Sequence, residues 1–256
     1  MKKLKDKVAI ITGAAGGIGI ATAKLFLDEG ARVALVDLSE EDLKETVQSL
    51  DVPAENILSV PADVSKEEDV KNYIQQTIDH FGQVDILFNN AGITGIQTDL
   101  TDIKLEDFEK VMAINTTGVF LGMKHVLPLM MEQKSGSVIN TSSVDGLRGS
   151  PQLAPYAASK HAVVGLTKTA ALEVAEAGVR VNSIHPSPVD TSMMDVLEAN
   201  TGEAESAKAE YTSSIPLGKY VEAEDIANLA LFLASDDSAF ISGSQYRIDG
   251  AMGAQQ

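Results

Sequence analysis

Tyr156 and Lys160 stand four residues apart in PYAASK, inside a stretch whose pattern predicts a helix over 155–177. At that spacing both side chains leave the same helix face. A phenol is a poor acid at neutral pH, with an ordinary pKa of about 10. A neighbouring ammonium favours the phenolate, which can take a proton from an alcohol or return one to a ketone. An isolated Tyr-x-x-x-Lys is far more often two amphipathic residues on a helix surface, so the pair gains weight only from its company. Ser142 and Ser143 supply some of it, because they follow a strand-like run shortly before the tyrosine. A hydroxyl there can hydrogen-bond a substrate oxygen and stabilise charge developing on it. Alternation along a strand sends the two serines to opposite sides, so only one of them reaches.

A second cluster lies near the start. Thr12-Gly13-Ala14-Ala15-Gly16-Gly17-Ile18-Gly19 follows the first apolar run and opens the first helical stretch, with Gly13, Gly17 and Gly19 matching TGxxxGxG. Without a Cβ the chain turns sharply and approaches a pyrophosphate closely, and the helix N-terminus offers it free N–H groups. A glycine turn alone is a weak signal; its place after the first strand strengthens it. Asp37 ends the second run, 24 residues after Gly13. A carboxylate there accepts hydrogen bonds from adenosine ribose hydroxyls and repels a 2′-phosphate. No basic residue adjoins it, so the expected cofactor is NAD rather than NADP.

These residues need a scaffold. Strand-like runs at Lys7–Thr12, Arg32–Asp37, Asn56–Val60, Asp85–Phe88, Ser137–Thr141, Arg180–His185 and Gln245–Ile248 alternate with helical patterns at 17–29, 40–50, 66–80, 104–132, 155–177 and 223–234. Several runs are almost continuously apolar, as when both faces of a parallel sheet are covered. Such alternation predicts one α/β domain over 1–256, a doubly wound parallel sheet with right-handed crossovers. Ser65 and Glu68 have capping-box spacing ahead of the third helix. The stretch 188–215 lacks clear periodicity and is expected to be a substrate lid.

Composition narrows the function classes. The 256 residues include no cysteine, which excludes disulfides, thiol nucleophiles and cysteine-ligated metals. The net charge of −17 argues against nucleic acid and anionic membrane as partners, and the absence of tryptophan argues against a base-stacking platform. The basic-then-apolar start, MKKLKDKVAIITGAAGG, reads as a strand entering a turn, because its apolar run is short for a secretion signal. The expectation is a cytoplasmic protein. His80, His125, His161 and His185 lack paired ligand spacing, so no metal site is expected.

Taken together, the glycine turn, Asn89-Asn90-Ala91-Gly92, Asn115, Ser142-Ser143 and Tyr156-Ala-Ala-Ser-Lys160 resemble the classical short-chain dehydrogenase/reductase family, from Lys7 to about Gly250. The resemblance implies a Rossmann fold and hydride transfer between NAD and a small alcohol or ketone. It implies Tyr156 as general acid/base and Lys160 as partner of the nicotinamide ribose. Ser143 is implied as the substrate-oxygen donor, and Asn115 as a residue whose backbone holds a relay water. It places Gly13, Gly17, Ile18, Gly19 and Asp37 on the cofactor, Asp63 and Val64 beside the adenine, and Asn90, Ala91 and Gly92 beneath it. Pro186, Val189 and Thr191 fall beside the carboxamide. It also implies a two-fold interface from helices 104–132 and 155–177, and a homotetramer. Two positions depart from the family: Ser187 where Pro-Gly is common, and Ala251 where Asp-Gly-Gly is usual.

For the substrate, Met193, Met194, Val196 and Leu197 suggest an adaptable apolar wall. Asp145 and Gln152 suggest contact with a polar ring or polyol. The leading expectation is a secondary alcohol/ketone pair. Sugar 1-dehydrogenation and 3-oxoacyl reduction compete on the same scaffold, and a non-catalytic nucleotide-binding regulator or a non-redox lyase would be other classes. The complete Ser143–Tyr156–Lys160 set argues against the regulator, and the intact cofactor turn against the lyase.

Overall fold

In the computed structural model, which describes residues 2–255, the apolar runs become seven strands of one sheet. They are β1 (Val8–Thr12), β2 (Arg32–Asp37), β3 (Ile57–Pro61), β4 (Ile86–Asn89), β5 (Gly136–Thr141), β6 (Val179–Pro186) and β7 (Gln245–Ile248). Their order is β3-β2-β1-β4-β5-β6-β7, and every pairing is parallel. The winding reverses between β1 and β4. In such sheets a crevice forms there, outside the carboxyl ends of the strands.

Helices cover both faces. On one side α1 (Gly17–Asp28), α2 (Glu40–Leu50) and α9 (Ala223–Ala234) share a core with Ala9 and Ile11. On the other, α3 (Glu67–Phe81), α5 (Gly118–Gln133) and α6 (Ala154–Val174) pack around Val8 and Ile10. Successive residues of β1 thus feed different cores, which is why the run is apolar without alternation. Among the described residues no helix is long and apolar enough to cross a membrane.

Three local readings are corrected. The capping box at Ser65 does not form: its N–H and hydroxyl both bond Asp63 Oδ1, at 2.9 and 2.6 Å, and Lys66 takes the cap position. A carboxylate two residues back is the nearer acceptor and wins the hydroxyl. The helix expected over 104–132 breaks into α4 (Leu105–Met112), a π turn (Ala113–Thr117) and α5. Asn115 draws the extra residue inward by bonding both the N–H and the C=O of Ile93, at 2.9 and 2.8 Å. The unpatterned stretch 188–215 carries α7 (Ser192–Asn200) and α8 (Ala204–Ser213). These form a small third core with Leu153, Ile215 and Met252. Buried Glu198 ties α7 down by accepting a 2.7 Å bond from the Tyr220 hydroxyl.

Buried amides fix α6 to the sheet. Asn89 Nδ2 donates to Asn140 Oδ1 at 2.9 Å, and Asn140 Nδ2 donates to Thr167 Oγ1 at 3.0 Å. Asn140 is fully buried, so removing its side chain strands both partners away from water. Asn140→Ala is expected to lower stability by about 2–3 kcal/mol in urea denaturation. A loss within about 0.5 kcal/mol would show that these bonds hold nothing.

Candidate active site

A cavity of about 550 Å³ opens at the carboxyl ends of the strands, across the reversal between β1 and β4. Gly13, Gly17, Ile18, Asp37, Asp63, Val64, Asn90, Ala91 and Gly92 line one part of it. Ser143, Tyr156, Lys160, Pro186, Val189 and Thr191 line the other. Two expected residues are absent from the wall. Gly19 lies behind the turn, where a Cβ would overlap the Gly13 carbonyl oxygen, so it serves close packing of α1. Asn115 is fully buried behind Gly92, its side chain committed to Ile93 and to Ser159 Oγ at 3.0 Å. Of the proposed substrate contacts, Val196 and Gln152 also miss the wall; Gln152 turns instead to Asp99, 3.3 Å away.

The nucleotide-sized end is built from backbone. Gly13 has φ +66°, and a Cβ there would come within 2.9 Å of Ala91 Cα. Thr12 Oγ1 accepts the N–H groups of Asn90 and Ala91 at 3.0 and 3.1 Å, which holds the two turns together. α2 and α3 each begin with three acidic residues, whereas α1 has none in its first turn and no side-chain cap at Gly16. Its positive end is left to the cavity, which suits an anion. Asp37 accepts the Ala15 N–H at 2.9 Å and the Leu38 N–H at 2.7 Å, so its carboxylate is fixed at the rim of the turn. Asp42 joins it on the wall, and among the described residues the only basic ones lining the cavity, Lys160 and Arg148, belong to the other part.

At the other end the two serines have different partners. Ser142 also lines the cavity, but its Oγ donates to the Lys160 carbonyl at 2.9 Å. Ser143 Oγ accepts the Asp145 N–H at 3.1 Å and is the hydroxyl close enough to the Tyr156 phenol to favour its ionised form. Lys160 Nζ donates to the Thr141 carbonyl at 2.8 Å and lies 5.5 Å from the Tyr156 ring centroid. Burial pushes the phenol up to about 12; the Ser143 hydroxyl opposes this and the Asp145 carboxylate adds to it. The expected lowering rests on Lys160 together with the positive nicotinamide of an oxidised cofactor, and burial alone acts the other way. Burial outweighs the neighbouring amine, and it also pushes Lys160 down to about 8.

His185 was legible only as one of four scattered histidines, yet it touches this site. It is fully buried, with Nδ1 2.8 Å from the Ser143 carbonyl and Nε2 2.9 Å from Ser183 Oγ. A proton assigned to Nδ1 lets the ring donate to the carbonyl and accept from the hydroxyl. Burial pushes His185 down to about 4, so the ring stays neutral and holds Ser143 from behind. His161 is the helix-surface residue expected, exposed and bonded to the Ala157 carbonyl.

Fold and site together match a known family. Residues 13–252 match the family model described as enoyl-(acyl carrier protein) reductase. The chain belongs to the short-chain dehydrogenase/reductase family of oxidoreductases. It is 40% identical to levodione reductase of Leifsonia aquatica, over 98% of this chain and 96% of that one. The crystal structure of levodione reductase superposes with a TM-score of 0.96, covering 99% of this chain and all of that chain. A 3-oxoacyl-(acyl-carrier-protein) reductase of Thermotoga maritima is 39% identical over 98% of this chain and 99% of its own. The structure of NAD+-bound xylitol dehydrogenase, 34% identical, superposes with a TM-score of 0.91 over 97% of this chain and all of that one.

The buried amine has a measurable signature. With its pKa down at about 8 against an ordinary 10.5, the folded protein releases a proton that the unfolded chain keeps. The cost of holding that charge is fully present below about 8 and is relieved as pH rises to 10.5, so stability rises with pH across this window. Relative to Lys160→Met, the wild type is expected to gain roughly 3 kcal/mol over that interval, read from urea midpoints. A stability difference that does not change with pH would mean that the amine is solvated.

Proposed function

We propose that this protein interconverts a secondary alcohol and its ketone, with NAD(H) as hydride partner and Tyr156 as general acid/base. The observation that carries the reading is the meeting of Ser143, Tyr156 and Lys160 with the glycine turn and Asp37 around one cavity. The uncapped start of α1, and a Gly13 cradle that a Cβ would fill, fit a pyrophosphate. Gly13, Gly17 and Ile18 would hold it. Asp37 would take the adenosine ribose hydroxyls, Asp63 and Val64 would flank the adenine, and Asn90, Ala91 and Gly92 would lie beneath. Pro186, Val189 and Thr191 would meet the carboxamide end. Two carboxylates, Asp37 and Asp42, with no basic residue on that part of the wall support NAD over NADP. The bound NAD of xylitol dehydrogenase points the same way.

What the dinucleotide supplies when bound is a hydride acceptor at its nicotinamide ring and, when oxidised, one positive charge. Ser143 Oγ holds the substrate oxygen. Tyr156 Oη takes the hydroxyl proton as the carbon gives up hydride, and returns it in the reverse direction. Lys160 would bond the nicotinamide ribose and, with the positive charge of the oxidised ring, favour the phenolate. Asn115 is a positioning residue: it holds the 92–93 segment beside Lys160. Val144, Leu153, Met194 and Leu197 support an apolar substrate skeleton, with α7 and α8 as its lid. Exposed Leu105, Phe108, Phe120 and Leu172 on α4, α5 and α6 support burial of these helices in a homotetramer.

Tyr156→Phe is expected to lose at least about 100-fold in kcat for secondary alcohols while still binding NADH in calorimetric titration. Retained turnover would remove the tyrosine from the mechanism. Asp37→Ala is expected to raise the Kd for NAD more than that for NADP, by about tenfold in the ratio. An unchanged ratio would reject the cofactor assignment.

A further inference from the structure

Arg148 and Asp145 form the one ion pair in which both partners line the cavity, among the described residues. Arg148 Nε donates to Asp145 Oδ1 at 3.0 Å, and the Asp145 backbone N–H donates to Ser143 Oγ at 3.1 Å. The pair therefore adjoins the serine read above as the holder of the reacting oxygen, and the inference rests on that reading. The two side chains are 12% and 28% exposed, so little water reaches the carboxylate. The Nε bond is the guanidinium's only one to protein among the described residues, which leaves the Nη donors open. Asp145 Oδ2 likewise accepts nothing from a described residue. Around them the wall is apolar, formed by Val144, Leu153, Met194, Leu197 and Met252.

This arrangement discriminates between substrates. A hydrocarbon pressed onto the wall displaces water from the open donors and replaces none of its bonds, which is costly at a charged, poorly solvated group. A substrate with a second oxygen at that end restores them: a carbonyl or hydroxyl oxygen accepts from the guanidinium edge, and a hydroxyl donates to the carboxylate. A negatively charged substituent is disfavoured by Asp145. We infer that Asp145 and Arg148 form a specificity subsite for a second, uncharged oxygen of the substrate. The enzyme then takes diols and hydroxyketones on a ring or short chain in preference to simple secondary alcohols. An i,i+3 staple of the loop would need only the Nε–Oδ1 bond; the open donors beside an apolar wall are what the subsite explains.

The test compares kcat/KM for cyclohexanol with that for cyclohexane-1,3-diol and cyclohexane-1,4-diol, followed by NADH absorbance. The wild type is expected to prefer at least one diol by about tenfold or more, since sites built to bond an oxygen reject analogues that lack it. Arg148→Met is expected to bring the ratio close to unity. Asp145→Asn, which keeps the shape and removes the charge, is expected to lower the ratio too, so the result survives a poorly folding Arg148→Met. Equal turnover of cyclohexanol and both diols by the wild type, or an unchanged ratio in both variants, overturns the subsite and leaves the proposed function standing. No turnover of any of the three with NAD or NADP counts against the function and the subsite together.

Discussion

The site depends on one charged group carried into a dry interior. Lys160 is 3% exposed, and its amine has a single hydrogen-bond partner among the described residues, the Thr141 carbonyl at 2.8 Å. Burial without a paired carboxylate is tolerated only where the surroundings cannot relax to let water in. The fold supplies that rigidity from several directions. Thr141 ends β5, Ser142 bonds the Lys160 carbonyl, and the Asn89–Asn140–Thr167 chain locks α6 onto the sheet. Gly146 lets the loop after β5 press against the same carbonyl, where a Cβ would fall 2.8 Å from its oxygen. Moving α6 by a fraction of an ångström would break several of these contacts at once.

Burial sets the electrostatics in a consistent direction. The phenol is pushed up to about 12, the amine down to about 8 and the imidazole of His185 down to about 4. Each group is driven towards its neutral form, although the chain carries a net charge of −17. Part of that charge sits at helix starts, Glu40, Glu41 and Asp42 on α2 and Glu67, Glu68 and Asp69 on α3, where it complements helix dipoles. On the proposed mechanism the proton moves only when compensating positive charge arrives with the oxidised cofactor. A phenol already ionised by its lysine would need no such arrival.

The sheet was legible because strands covered on both faces are apolar throughout, and the glycine turn and Tyr156–Lys160 because spacing along one element carries them. What stayed hidden depends on partners distant in sequence. The resemblance picked out Asn115, but not its π turn, which exists because Ile93, 22 residues away, offers a peptide to bind. The resemblance ranked Ser143 above Ser142, but nothing local showed that α6 would give Ser142 the Lys160 carbonyl to bond. His185 carries no local mark of its contact with Ser143, 42 residues earlier. α7 and α8 bury few residues, chiefly Met194, Leu197, Glu198 and Ala207, too sparse a set to show helical periodicity. Arg148 passed unnoticed because three residues along a turn say nothing about which wall they join.

The most direct measurement follows ionisation of Tyr156 itself, as the 295 nm absorbance of wild type minus Tyr156→Phe across pH, with and without saturating NAD+. The account predicts no Tyr156 signal below about pH 10 in the protein alone, and ionisation at least about two units lower once NAD+ is added. A phenol that titrates near its ordinary value in both conditions would contradict it, since neither burial nor the arriving charge would then govern the proton.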